Sequence, residues 1–154
     1  MFRRIAIGTL LAASLDILEV IVFYAMRGVA APRVLQGVAA GVLGRESFSR
    51  GATSALLGLA IHFFIAFVVV TIYHLASRRI ATLTRHPLLC GAAYGLLVFA
   101  VMTYVVVPMS ASGGGAPKNP LVLANLLFAH IVCVGMATGW SAVAGRDARV
   151  PALP

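Results

Sequence analysis

Acids are the scarcest thing in this sequence. Of 154 residues only 4 are Asp or Glu, against 12 Lys or Arg, and charged residues of both signs make up 10%. So few charges leave too little polar surface to cover a water-soluble domain of this size. Cysteine is nearly absent too: Cys90 and Cys133 fall on different helices and at different depths in the reading below, which excludes a disulfide scaffold and argues against a bridge between them. There is no glycine-rich phosphate loop and no Ser, Cys or His arrangement like a catalytic triad, so the chain reads as a non-enzyme. The net charge of +8 and a pI near 10.8 would suit nucleic acid as a dense basic stripe. Here the basic residues stand singly or in pairs between apolar runs, which speaks against a nucleic-acid partner and makes them topology signals.

What the chain does have is apolar length. It is 61% hydrophobic, with a mean hydropathy of +1.00. A hydrocarbon core about 30 Å thick needs roughly 20 helical residues to cross it. Four runs meet that length, over 5–26, 52–76, 88–109 and 121–143. In lipid each must be helical, because a lone strand leaves its backbone polar groups unsatisfied. The expected fold class is therefore all-α: a single integral membrane domain over 1–154, built as a four-transmembrane-helix bundle in a lipid bilayer. Met1-Phe-Arg-Arg before an apolar run has the look of a cleavable signal. The run continues past Ala12, Ala13 and Ser14 to Met26, however, and a cut after Ala31 would put Pro32 just beyond the scissile bond. The first segment is expected to stay as a membrane helix.

Residues 27–51 are more than a loop. Pro32 suits a helix start, Val34, Leu35, Val38, Val42 and Leu43 recur at helical spacing, and Gly44 suits a stop, giving a short interfacial or re-entrant helix over 32–44. Gly37 and Gly41, one turn apart, permit close helix contact. Residues 77–87 carry Arg78, Arg79, Arg85 and His86, and 110–120 read as a flexible surface loop. An even number of crossings puts both termini and the 77–87 loop on one side, with Arg3, Arg4, Arg78, Arg79, Arg85, Arg146 and Arg149. The other side holds Arg27, Arg33, Arg45, Arg50 and Lys118. The positive-inside rule then favours cytoplasmic termini.

Two of the four acids, Asp16 and Glu19, lie within the first apolar run. An acid at a helix centre costs about 2.5–3.5 kcal/mol on insertion scales, and one Leu or Ile returns only about 0.3–0.6. Counting residues from each run's midpoint places Asp16, Glu19, His62 and His130 in one layer. The 100° step of a helix groups Thr9, Ala12, Asp16, Glu19 and Phe23 in one stripe. Ala55, Gly58, His62, Ala66, Val69 and Tyr73 form a second, and Leu126, His130, Cys133, Ala137 and Ser141 a third. These faces are rich in small residues, which mark helix contacts in membranes, so the polar set is expected to point inward. Asn125 and Tyr104 lie nearer the outer surface, as an access path for water or an ion.

Such a layer suits a small membrane protein that binds or conducts a cation or protons. The acids supply negative charge, and the histidines act as ligands or proton acceptors. The same four residues are candidate ligands for a divalent metal such as Zn²⁺, Mn²⁺ or Fe²⁺. His62 and His130 could also bracket a haem iron in a redox protein. A structural or accessory subunit, held together by such groups at roughly 0.6–2 kcal/mol per hydrogen bond, is the plainest alternative. A chain this short is expected to self-associate as a homo-oligomer to enclose a conducting path. Tyr73, His74 and Trp140 read as aromatic interface anchors, and Cys133 and Met136 as packing residues.

From the second helix onward, His62-Phe-Phe-Ile-Ala-Phe67 with Tyr73, Gly91 and Gly95, Val106-Val-Pro108, Pro117 and Ala129-His130 resemble the uncharacterised bacterial inner-membrane proteins of the YagU-like kind. The resemblance implies a small helical inner-membrane protein in which His62 and His130 are the positions of interest, and it supplies no activity. It does not extend to Asp16, Glu19 or the arginine-bearing segment after Met26.

Overall fold

The computed structural model describes residues 1–144, and among these it contains helices and no strand. Arg146 and Arg149, counted above toward the sidedness of the termini, lie outside the described residues. Helix α1 runs Phe2–Ala25, α2 Ala31–Leu43, α3 Gly51–Ala76, and the single turn α4 Thr82–Arg85. Helix α5 spans Pro87–Met109 and α6 Pro120–Val143. Four of these, α1, α3, α5 and α6, are long and apolar enough to cross a membrane, within a few residues of the runs read from the sequence. A 3₁₀ turn, Gly44–Ser49, joins α2 to α3.

Local chemistry sets the helix ends. Asn119 caps α6, its Oδ1 accepting from the backbone N–H of Leu121 at 2.9 Å and of Val122 at 3.4 Å, with Pro120 supplying the fixed φ of the first position. Pro87 opens α5 in the same way. Helix α2 stops where Gly44 turns to φ +60°, a conformation that a Cβ would penalise. Near its end α5 carries Pro108, which has no N–H for the carbonyl one turn back and crowds it. The helix widens into a π turn over Met102–Val106 just before it.

Helix α1 packs on α3 and α6, and α6 packs on α5. The Tyr94 hydroxyl donates to the Val69 carbonyl at 2.8 Å, tying α5 to α3, and Val69, Val98 and Val134 meet from three helices. Outward faces carry Leu10, Leu18, Val22, Phe64, Leu89 and Leu97, all exposed. Inward faces are built from small residues: Ala12, Ala13, Ala129 and Thr138 are fully buried. This is the arrangement for a solvent as apolar as leucine, where burying a large side chain gains little and close backbone approach gains dispersion contacts.

Helix α2 shows the same rule. Its buried face is Gln36, Ala39 and Ala40, while Val42 is 63% exposed. Of the apolar residues that marked this helix, Val34, Leu35, Val38 and Leu43 are partly buried and Val42 is exposed. The small side does the packing, laid across α3 so that Gly58 meets the backbone of Leu35 and Ala39. A buried chain of hydrogen bonds fixes this seam. Gln36 Nε2 donates to the Gly51 carbonyl at 3.0 Å, Ser47 Oγ to the Gln36 carbonyl at 2.6 Å, and Ser54 Oγ to the Ser47 carbonyl at 2.6 Å. The backbone N–H of Ala111 donates to the Gly41 carbonyl at 2.9 Å, fastening the loop after α5 to α2 as well.

Tyr73 and His74 are not surface anchors. Tyr73 is 1% exposed and donates to the Leu83 carbonyl, and His74 is 5% exposed with Nε2 2.9 Å from Ser141 Oγ. The stripe that carried Tyr73 inward outweighs the tendency of aromatic rings to seek the interface. Trp140 does face outward.

Gly91, Gly95, Gly135 and Gly139 are consumed inside the chain, at the crossing of α5 and α6, where a Cβ at any of them would strike facing backbone. Gly135→Ala is accordingly expected to cost about 1–3 kcal/mol of stability through overpacking. Gly37→Ala, with nothing within 4 Å of its added methyl, should be neutral or slightly stabilising. Denaturant unfolding in detergent micelles separates the two, and equal effects would contradict this packing.

Candidate functional site

Three of the four residues expected in the buried layer share one cavity. Asp16 from α1, His62 from α3 and His130 from α6 line a space of about 160 Å³ between the helices, walled by Val38, Ile65, Val69, Val98, Met102 and Val134. At about 30 Å³ per water molecule this has room for a handful of waters or a small ion. It falls below the roughly 300 Å³ at which small-molecule pockets begin, so a haem macrocycle does not fit between the two histidines.

Helix geometry delivers these side chains. His62 sits one turn below Gly58, where the approach of α2 presses α3 toward the others, and Val38 of α2 forms part of the cavity wall. Met102 comes from the π turn that precedes Pro108. His130 and Val134 lie on a second π-helical stretch, Ala129–Met136 of α6. Such widened turns recur at functional sites because they redirect side chains that a regular helix would space evenly.

Backbone carbonyls fix both rings. His62 Nε2 lies 2.9 Å from the Ala13 carbonyl, and His130 Nδ1 lies 2.9 Å from the Leu126 carbonyl. A carbonyl only accepts, so these two nitrogens carry hydrogen. In the neutral rings, Nδ1 of His62 and Nε2 of His130 are then the lone-pair nitrogens. Either ring can take up a proton without giving up its bond to the backbone.

Asp16 completes the set and is poorly satisfied. Its Oδ2 lies 3.9 Å from His62 Nε2, close enough for an ion pair but too long for a hydrogen bond. Its Oδ1 is buried with no hydrogen-bond partner among the described residues. The Asp16 carboxyl also interacts electrostatically with His130. In an apolar wall such interactions are little screened, and an orphaned acceptor is expensive.

Glu19 does not join the cavity. One turn further along α1, it faces a separate groove with Leu15, Leu18 and Val22, where Asn125 Nδ2 donates to its Oε2 at 3.3 Å. Asn125 is therefore placed beside Glu19 and not on the cavity wall. Tyr104 is 62% exposed, with its ring edge-on to Phe99, whose ring in turn stands 5.9 Å from that of His130. Among the described residues no group of three or more His, Cys, Asp or Glu side chains is placed to hold a metal ion, so the geometry does not draw the four candidate ligands together. Val38 enters the sequence reading only as one of the apolar residues of α2, and Met102 and Gln36 do not enter it.

If Asp16 were structural glue, removing its carboxyl would unfold the protein. The orphaned Oδ1 points the other way: Asp16→Leu should be as stable as the wild type or up to about 1–3 kcal/mol more stable, by relief of the desolvation penalty. Thermal and denaturant unfolding in detergent check this, and a loss of more than about 2 kcal/mol would assign the residue a structural role. No family model, curated protein or solved structure matches this chain, so its function is argued from these residues.

Proposed function

We propose that the protein is a multi-pass inner-membrane protein that binds protons, or a small cation, in the cavity lined by Asp16, His62 and His130. One observation carries this reading. A carboxyl with a buried, unpartnered oxygen lies in a water-sized cavity with two imidazoles whose tautomers are fixed by the backbone and which each keep a proton-accepting nitrogen. Protonation of the pair neutralises the acid or charges a ring, and the change is felt strongly because the walls are apolar. Metal coordination is a weaker reading, since among the described residues no three such side chains stand close enough together to hold an ion. The resemblance to YagU-like proteins of the bacterial inner membrane is compatible with a role for His62 and His130.

Reconstituted in liposomes under a potassium diffusion potential, the wild type is expected to pass protons, read with an internal pH dye. Asp16→Asn and the His62→Ala, His130→Ala pair should reduce the flux at least tenfold while leaving the folded fraction unchanged. A wild type that takes up no protons and passes none, or flux that survives in an Asp16→Asn, His130→Ala double variant, would remove the proposal.

The proposed topology has the termini and the Arg78–Arg79 turn in the cytoplasm and the loop around Ser112 outside. In a Cys90→Ser, Cys133→Ala background, Ser112→Cys should react with an impermeant maleimide added to intact spheroplasts. Arg79→Cys should react only after lysis, and the reverse pattern would invert the topology.

A further inference from the structure

Outside the cavity, one acid is left without a countercharge. Glu19 lies on the wall of an outward-facing groove of about 400 Å³, otherwise lined by Leu15, Leu18, Val22, Phe23 and Met26 with Asn125 and Cys133. Its one hydrogen bond, from Asn125 at 3.3 Å, is long, and no described Lys or Arg pairs with it. The nearest basic residue along the helix, Arg27, is engaged elsewhere. Its guanidinium lies 3.6 Å from the centroid of the Phe23 ring and donates to the Phe23 carbonyl at 3.0 Å. The flanking Leu18 and Val22 are 59% and 57% exposed, so the groove opens on the outward, apolar face of the helices and not toward their interior.

We propose that this groove binds a membrane-soluble organic cation, with Glu19 as its counterion and Asn125 holding the carboxylate in place. The groove volume lies within the range of small-molecule sites, and its lining is apolar around a single charge, which is the complement of a lipophilic body bearing one positive group. A cation that partitions into the bilayer reaches the groove laterally, without crossing the bundle. A second copy of this chain is the poorer occupant: a two-fold contact through this face would bring a second Glu19 toward the first, and like charges in a low dielectric repel. The inference rests on the membrane reading of the chain but not on proton binding at Asp16.

Tetraphenylphosphonium binding to the purified full-length protein in nanodiscs, measured by equilibrium dialysis, tests it. The wild type should bind saturably. Glu19→Gln should weaken binding at least tenfold, the neutral triphenylphosphine oxide should show no Glu19-dependent binding, and Asp16→Asn should bind as the wild type does. A groove-filling Leu18→Trp variant, whose folding is checked by thermal unfolding, should also lose binding and guards against a Glu19→Gln variant that misfolds. Binding that is absent, or equal in the wild type and Glu19→Gln, would overturn the proposal, as would Leu15→Cys cross-linking into dimers in place of cation binding. Loss of binding in Asp16→Asn would move the site to the cavity and overturn it as well.

Discussion

A carboxyl group in an apolar interior constrains whatever is built around it. Asp16 stands near the middle of α1, where insertion costs about 2.5–3.5 kcal/mol, and the fold gives it neither a hydrogen-bonded partner for Oδ1 nor a close ion pair for Oδ2. Its surroundings consist of the rings of His62 and His130 and a space large enough for water. A group intended as glue would be fully bonded, because half-satisfied polar sites are worse than apolar ones. Asp16 keeps its cost, and the histidines beside it are oriented by bonds to backbone carbonyls that survive a change of protonation.

The cavity in turn depends on how the helices approach one another. Among the described residues small side chains carry close crossings: Gly91, Gly95, Gly135 and Gly139 between α5 and α6, Gly58 between α2 and α3, and Gly8 of α1 against Val70 and Ser141. The second π stretch serves both packing and cavity, since its Gly135 lies in the tight crossing with α5 while His130 and Val134 reach the cavity. Met102, from the first π stretch, lies on the same cavity wall.

Much of this was legible in the sequence because lipid imposes simple rules. Apolar length set α1, α3, α5 and α6 to within a few residues, and Pro32 and Gly44 marked the ends of α2. The stripes through Ala12, Ala66 and Ala137 follow the inward faces except at Glu19, which lies on an outward groove. What could not be read was packing between elements distant in sequence. Nothing in the order of residues says that α2 turns its small side inward, that Val38 reaches the cavity, or that Tyr73 and His74 find partners in the interior at Leu83 and Ser141. On α2 the glycine pair that permitted close contact is not where it occurs: nothing lies near Gly37, and the buried face is Gln36, Ala39 and Ala40. With an apolar surround, Val42 has no reason to hide.

The separation of Asp16 from Glu19 shows how fine the decisive detail is. Three residues along a helix advance it by about 4.5 Å and leave the two side chains about 60° apart in azimuth. On a stripe drawn from sequence that difference is invisible, and both acids fall on one face. In a bundle where α1 touches both α3 and α6, 60° separates a cavity between helices from a groove on their outer face. The two carboxyls then face opposite chemical demands. Asp16 looks onto an apolar-walled cavity with two histidines beside it, whereas Glu19 looks onto an apolar, outward-facing surface with one amide to steady it. A shared layer is therefore better described as two adjacent sites on one helix, each with its own countercharge to find.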